Sequence, residues 1–313
     1  MARLDERQII ELFQRSFANK KFVSEDVETF RVGKNFGVIK TDTLVASTDV
    51  PPKMKLQDVA RKSVVASVSD FAAKGVRPLY GIISISLPQK ISKSKIAQLA
   101  KGFRDTSKEF GFKILGGDTN QAKEIVISVT LVSLASKITH RGGARAGDII
   151  VVSGPFGYSA AGLEIVLNGK NAVPKFRKLA KDAVFQPTPR LDFGIKSSRL
   201  LSSAMDSSDG LSTCLVNMAE QSKKKFVLSR VPGANGLEEF ASSNHLDFLD
   251  LAFNGGEEYE IVATVSPRNL GKLKKIARDT KTNLIEIGHV QKGSGVFLKN
   301  NTRIENAGWS HKF

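Results

Sequence analysis

Cys214 is the one cysteine in this 313-residue chain. That excludes an internal disulfide and any thiolate-rich metal centre. No apolar run reaches the roughly 18 residues that a membrane span needs. There is no GxxxxGK[ST] phosphate loop, since "NGKN" at 168–171 lacks the upstream glycine and the hydroxyl residue. The protein-kinase motif set, zinc-finger spacing and an aromatic RNA-binding signature are missing as well. The expectation is a cytoplasmic globular protein with no membrane or nucleic-acid partner.

A length of 313 residues suffices for two domains, and 41% hydrophobic with 25% charged residues is ordinary for a folded chain. The net charge is +16. Its basic residues are spread through amphipathic segments such as "SKSKIAQLAKGFRDTSKEFGFK" and "GKLKKIARDTK", which read as solvated helix faces. Such a field would draw in polyanionic small molecules such as nucleotides. The competing class is a basic, non-catalytic nucleic-acid-binding protein, which predicts salt-sensitive affinity and no role for the acids.

At the start, Ile9, Leu12, Phe13 and Phe17 mark an amphipathic helix and not a signal peptide. Alternation predicts strands at "FGVIKTDTLVAS", "LYGIISISLP", "EIVISVTLVSLAS", "DIIVVSG", "EYEIVATV" and "TNLIEIG". Helical periodicity falls at 56–74, 93–109, 158–168, 175–184, 209–221 and 268–280. Interleaved strands and helices argue for an α/β (α+β) fold. The glycines of "KITHRGGARAGD" mark a boundary, giving domains 1–137 and 138–313.

Five aspartates recur beside small residues at element junctions: Asp42, Asp70, Asp118, Asp206 and Asp209. Each alone could cap a helix or turn. Asp70 is the most telling, because it shares a face of helix 56–74 with Val59, Ser63, Ala66 and Ala73, while lysines flank that stripe without sitting on it. Two carboxylates about 4 Å apart repel by roughly 4 kcal/mol at an effective dielectric near 20. Several together call for divalent cations, and all-oxygen ligands select Mg²⁺ or a similar hard ion. "LGGDTN" and "VVSGPFGYSAAGL" are candidate phosphate cradles.

"TDTLV", "SDFAAKGVRP", "ISISLP", "LGGDTN", "HRGGARAGD", "SAAGL", "PTPR", "AMDSSDGL" and "GGEEYEIVAT" stand in one order from about residue 24 onward. In that order the chain resembles the thiamine-monophosphate kinases. Their superfamily includes aminoimidazole-ribotide synthase, selenophosphate synthetase and a hydrogenase maturation protein. The resemblance implies a two-domain aminoimidazole-ribotide synthase-like fold whose N-terminal domain pairs strands across a homodimer. It implies direct in-line transfer of ATP's γ-phosphoryl group onto thiamine monophosphate, assisted by several Mg²⁺ ions. The nearest alternative is a relative with another acceptor, such as an aminoimidazole-ribotide synthase-like ligase.

By motif, the resemblance implies metal ligation by Asp26, Thr41, Asp42, Asp70, Asp118, Asp206 and Asp209, with Asp42, Asp70, Asp118 and Asp209 catalytic. Gly117, Asp118, Arg141 and Ser208 would bind ATP; Asp49, Glu257 and the Trp309 of "NAGWSHKF" would bind the acceptor. The chain departs from the family in four ways: "SEDV" replaces Gly-Asp-Asp, Asp49 sits in "STDV", Lys40 replaces a metal-ligating hydroxyl, and "GGEEYE" stands for "GGEDYE". Strand alternation turns Lys40 to the same side as Asp42. Lys40 is therefore expected to stand in for one metal ion, paired with Asp26 or Asp70.

Overall fold

The computed structural model describes residues 6–17 and 22–310; the last three residues of "NAGWSHKF" lie outside them. The first half runs α1 (Glu6–Ser16), β1 (Glu28–Val32), β2 (Asn35–Val45), α2 (Ala46–Asp49), α3 (Leu56–Lys74), β3 (Tyr80–Pro88), α4 (Lys93–Phe110), β4 (Lys113–Ala122) and β5 (Val126–Ala135). The second half opens with β6 (Ile149–Val152), α5 (Tyr158–Leu167), α6 (Pro174–Phe185), α7 (Leu191–Ser197), β7 (Leu201–Asp206) and α8 (Leu211–Ser222). It continues with β8 (Lys225–Leu228), α9 (Leu237–Ser243), α10 (Phe248–Phe253) and β9 (Ile261–Val265). Last come α11 (Pro267–Asp279), β10 (Ile285–Gln291), β11 (Gly295–Leu298) and β12 (Arg303–Ile304).

The strands form two sheets. Five strands in the order β1-β2-β5-β3-β4 make the first, and seven in the order β12-β11-β8-β10-β6-β9-β7 the second. In the first, only β3 and β4 pair in parallel, as the α4 crossover between them requires. Its face toward α3 carries Val38, Leu44, Ile127, Val129 and Leu131, all buried. Phe30, Tyr80, Ile82 and Leu134 of the same sheet stay exposed.

Helix α3 is the axis of the molecule. It packs on β2 and β5 of the first sheet, on β7 and β9 of the second, and on α4 and α7. A helix enclosed on all sides should be apolar all round, and Val59, Val64, Val65, Val68, Phe71 and Ala72 are at most 1% exposed. It stops at Gly75, whose φ of 70° gives the left-handed turn, with Gly75 N–H on Ala72 O and Val76 N–H on Phe71 O. A Cβ there would meet Ser198 Cβ at 2.2 Å, so the tight packing on α7 also demands glycine.

The six helices expected from periodicity between 56 and 280 are all present, as are the six expected strands. Strand β4, which carries "LGGDTN", lies outside the strands that alternation predicts. It is an edge strand, nearly all exposed, with no alternation to betray it. Helix α1 forms as expected, with Ile10, Leu12, Phe13 and Phe17 exposed.

Candidate active site

Six polar side chains of α3 are buried: Lys62, Ser63, Ser67, Ser69, Asp70 and Lys74. An unpaired buried charge costs several kcal/mol, so the partners of these groups trace the site. Lys40 Nζ, on β2, lies 3.0 Å from Asp70 Oδ2 and 3.3 Å from Asp42 Oδ1. Strand alternation does turn Lys40 and Asp42 to one side, as expected. Ser67 Oγ donates to Asp42 Oδ2 at 2.7 Å. One turn beyond Asp70, the enclosed Lys74 donates to Glu25 Oε2 at 2.5 Å and lies 2.9 Å from Asp26 Oδ2. Arg141 Nε, from the segment between the sheets, donates to Asp26 Oδ1 at 2.6 Å.

Asp206, at the end of β7, completes the group. One oxygen from each of Asp26, Asp70 and Asp206 lies within 4.8 Å of the others, and all three residues are buried. Asp206 Oδ2 is enclosed and accepts no hydrogen bond. Burial, and next the Asp26 charge, push the Asp206 carboxyl up to about 7 against the pull of Lys40 and Arg141. Burial acts on Asp26 in the same sense, yet Lys74 and Arg141 hold it below the usual carboxylate range. Lys40 is held firmly protonated: burial opposes its charge, but Asp70, Asp42 and Asp206 raise its pKa.

Among the described residues, five carboxylates, Glu25, Asp26, Asp42, Asp70 and Asp206, meet three cations, Lys40, Lys74 and Arg141, around this point. The surplus is acidic. An all-oxygen donor set with one orphaned carboxylate oxygen fits a hard divalent cation such as Mg²⁺.

The cleft continues past α3 into a cavity of about 590 Å³, lined among others by Asp42, Asp49, Lys62, Ser208, Asp209, Glu257 and Trp309. Gly256 fits there because a Cβ would come 2.7 Å from Ser208 O. Glu257, at φ 63°, and Tyr259, at φ 52°, are non-glycine residues in the left-handed region, a strained stretch of the kind that gathers at sites. The Glu257 N–H donates to Ser208 O at 2.7 Å. Trp309 is held by its N–H on Asp209 O at 3.1 Å, and Thr213 Oγ1 pins the preceding segment through Asn306 Oδ1 at 2.8 Å.

The expected site residues therefore divide. Asp26, Asp70 and Asp206 converge, with Asp42 one lysine away; Asp49, Ser208, Asp209, Glu257 and Trp309 share the cavity. The Thr41 hydroxyl instead bonds Thr130 Oγ1 at 2.8 Å and does not join the carboxylates. Gly117 and Asp118 lie exposed on β4, and Asp118 is not part of the buried trio. Arg141, expected on ATP phosphates, is engaged by Asp26. The "VVSGPFGYSAAGL" cradle is filled from within, because Gly157 N–H and Ser159 N–H both donate to Glu258 Oε1 at 2.7 and 2.9 Å. Its burial, only partly offset by those donors, pushes Glu258 up to about 8.

Lysines on α3 were expected only to flank the Asp70 stripe, and the structure corrects this. Lys62 and Lys74 are 3% and 0% exposed and both end on acids of the cleft. Lys62 sits at i−8 from Asp70, with Ala66 between, a spacing that marks one helix face. That was the overlooked signal. The pair of half-buried Arg190 with buried Glu260, to which Ser153 Oγ also donates, was likewise missed.

Sequence models of the AIR synthase related proteins match residues 24–135 (N-terminal domain) and 145–300 (C-terminal domain). Among curated proteins, the thiamine-monophosphate kinase of Nitrosopumilus maritimus is 52% identical over 314 residues, covering 99% of each chain. The thiamine-monophosphate kinase of Pyrococcus horikoshii is 32% identical over 316 residues, covering 99% of this chain and 97% of its own. Among solved structures, AaThiL complexed with AMPPCP and TMP superposes with a TM-score of 0.87 at 27% identity, covering 99% of each chain.

Proposed function

The chain belongs to the thiamine-monophosphate kinases of the AIR synthase related family, and from that premise we infer that it transfers the γ-phosphoryl group of ATP to thiamine monophosphate. An oxygen of the acceptor's phosphate forms the new P–O bond while the bond from the γ-phosphorus to its bridging oxygen breaks, leaving thiamine diphosphate and ADP. Direct in-line transfer of this kind needs no covalent intermediate on the protein. The observation that carries this reading is the adjoining of an acid-rich cluster and a ligand-sized cavity along α3, in a chain 52% identical to a named kinase over its whole length.

Asp26, Asp70 and Asp206 would hold Mg²⁺, with Asp42 and Asp209 at the margin toward the cavity. Bound there, Mg²⁺ would neutralise charge on the polyphosphate during transfer. The protein's own part is positioning, which can contribute up to about 10 kcal/mol when both reactants are held in line. Lys74 and Arg141 fix Asp26, Lys40 fixes Asp70, and Ser67 orients Asp42. Gly117, Asp118 and Ser208 remain the proposed nucleotide contacts, supported by the resemblance. The thiazolium of the acceptor is a cation, and the Trp309 face and the Glu257 carboxylate are fitting neighbours for it.

The exposed Phe30, Tyr80, Ile82 and Leu134 of the first sheet support a homodimer in which a second copy covers that face. The division into 1–137 and 138–313 and a cytoplasmic location complete the proposal; no helix among the described residues is long and apolar enough to cross a membrane. The test is incubation of the protein with ATP, Mg²⁺ and thiamine monophosphate. Thiamine diphosphate should appear, and free thiamine should be left unphosphorylated. Comparable phosphorylation of thiamine, or of neither compound, overturns the reading.

A further inference from the structure

The acceptor cavity is lined by four carboxylates, Asp42, Asp49, Asp209 and Glu257, and among the described lining residues by a single cation, Lys62. The Lys62 side chain is 4% exposed and that of Glu257 is 30% exposed. Lys62 Nζ lies 2.7 Å from Glu257 Oε1 and 2.8 Å from Oε2, and donates to Asp49 O at 2.6 Å. An ammonium has three donors and no acceptor, so Lys62 is saturated by Glu257 and this one carbonyl. Glu257, which faces the ligand space, thus enters it with its charge already balanced.

A carboxylate paired in this way offers little to a second cation, since the pair's net charge is close to zero. The positive end of the pair also favours any ligand that brings an anion into the cavity. The acceptor read above carries both a cationic ring and a phosphate, whereas its unphosphorylated counterpart carries the ring alone. We propose that Lys62 is a specificity-determining residue: by masking Glu257 it disfavours a bare cationic acceptor and favours one that also bears a phosphate. This rests on the reading of the cavity as the thiamine monophosphate site. The bland alternative is a tie that merely joins α3 to the loop at 254–260. A tie would weaken both ligands in parallel when cut; a mask, when lifted, moves them in opposite directions.

The test is equilibrium binding of thiamine and of thiamine monophosphate by calorimetry, without ATP, to the full chain and to Lys62→Met, Lys62→Arg, Glu257→Gln and the Lys62→Met/Glu257→Gln pair. Lys62→Met should shift the preference for the phosphorylated ligand about tenfold toward thiamine, the scale of one charge-assisted contact. Lys62→Arg keeps the charge and should hold the preference within about threefold. Glu257→Gln unmasks the ammonium and should shift the preference about tenfold the other way. In the double variant both charges of the pair are gone, so the two opposite shifts should cancel and the preference should return to within about threefold of the wild type. Parallel loss of both affinities in Lys62→Met, or an unchanged preference in Glu257→Gln, overturns the proposal. The Glu257→Gln arm decides the matter even where Lys62→Met does not fold. Formation of thiamine diphosphate by the wild type reports on the underlying reading separately: turnover with unshifted preferences in the variants defeats the mask alone, and absence of turnover defeats both.

Discussion

At one end of α3 five carboxylates share three cations around Asp70; about 12 Å away, eight residues along the same helix, Lys62 meets Glu257 one to one. Both ends bury charge, but only the Asp70 end buries an unbalanced charge, and there Asp206 keeps an oxygen with no hydrogen bond. Imbalance of that kind is tolerated only where another cation is to come, because a buried unpaired charge otherwise neutralises itself by a pKa shift. The Asp206 carboxyl, pushed up to about 7, is already part of the way there. Balance at the Lys62 end marks a group that shapes the cavity without waiting for an ion. Behind that end Glu258 is a third case, a half-buried carboxylate that receives two peptide N–H groups and, among the described residues, no side-chain ammonium or guanidinium hydrogen bond.

The largest effect belongs to the unbalanced end. Asp70→Asn should lower turnover about a thousandfold or more, equivalent to roughly 4 kcal/mol of transition-state stabilisation. The metal-free melting temperature of the same variant should hold or rise. Asp70 is crowded by Asp206, Asp42 and Asp26, and Lys40 keeps Asp42 as a partner once Asp70 is neutral. Turnover and calorimetric melting in a chelator check the two halves. Near-full activity would break the comparison, because the charge surplus would then have no functional reason.

Asp70 also shows how far the sequence could be read. An acid on a helix face of small and apolar residues is legible, and so were the long helices and the alternating strands beside it. Strand β4 was not, because its adjacent Ile114 and Leu115 are followed by Gly116, Gly117 and a polar run, so this exposed edge strand lacks alternation. Strand β7, with Ser202 and Ser203, is too polar to read as buried; the Ser203 hydroxyl pairs with Thr264 Oγ1 across the sheet. The pairings of Lys74 with Glu25 and Asp26, and of Arg141 with Asp26, join residues 48 to 115 positions apart. Composition and periodicity carry no record of such contacts; the fold makes them. Thr41 illustrates the reverse: its motif placed it among the ligands, but strand alternation sends its hydroxyl to Thr130.

An intermediate effect is expected at Glu258, which tests whether a half-buried acid with no hydrogen-bonded cation among the described residues behaves differently from Glu257. Its folded-state pKa of about 8 lies above the ordinary 4.5, so between these values the folded protein holds a proton that the unfolded chain has released. Stability from this group therefore falls as pH rises from 4.5 toward 8, by up to roughly 1.4 kcal/mol per unit, and levels off above 8. Glu258→Gln mimics the protonated acid and still accepts from Gly157 and Ser159. It should match the wild type at pH 4.5 and be the more stable protein at pH 8. Urea unfolding at the two pH values measures this, and a difference that does not grow with pH would contradict it.

The smallest effect is assigned to Lys40, the cation that the unbalanced end carries for itself. Its ammonium lies 3.0 Å from Asp70 and 3.3 Å from Asp42, so it neutralises charge that a divalent ion would otherwise meet. An ammonium cannot ligate Mg²⁺ and repels it. Lys40→Ser removes that repulsion, opens space beside Asp70 and supplies a hydroxyl oxygen. The carboxylate surplus then grows by one, and Mg²⁺ is the available remedy. Activity of the variant should depend more steeply on Mg²⁺ concentration, with the midpoint displaced about threefold, the scale of a sub-kcal/mol change in a partly screened pair. Metal counting by Mn²⁺ resonance should find about one more bound ion in Lys40→Ser, and the variant should melt lower than the wild type in chelator. Mg²⁺ titrations that overlay, with equal Mn²⁺ counts, would mean that Lys40 merely fills space between two aspartates and that the acidic surplus, not its built-in cation, sets the metal demand.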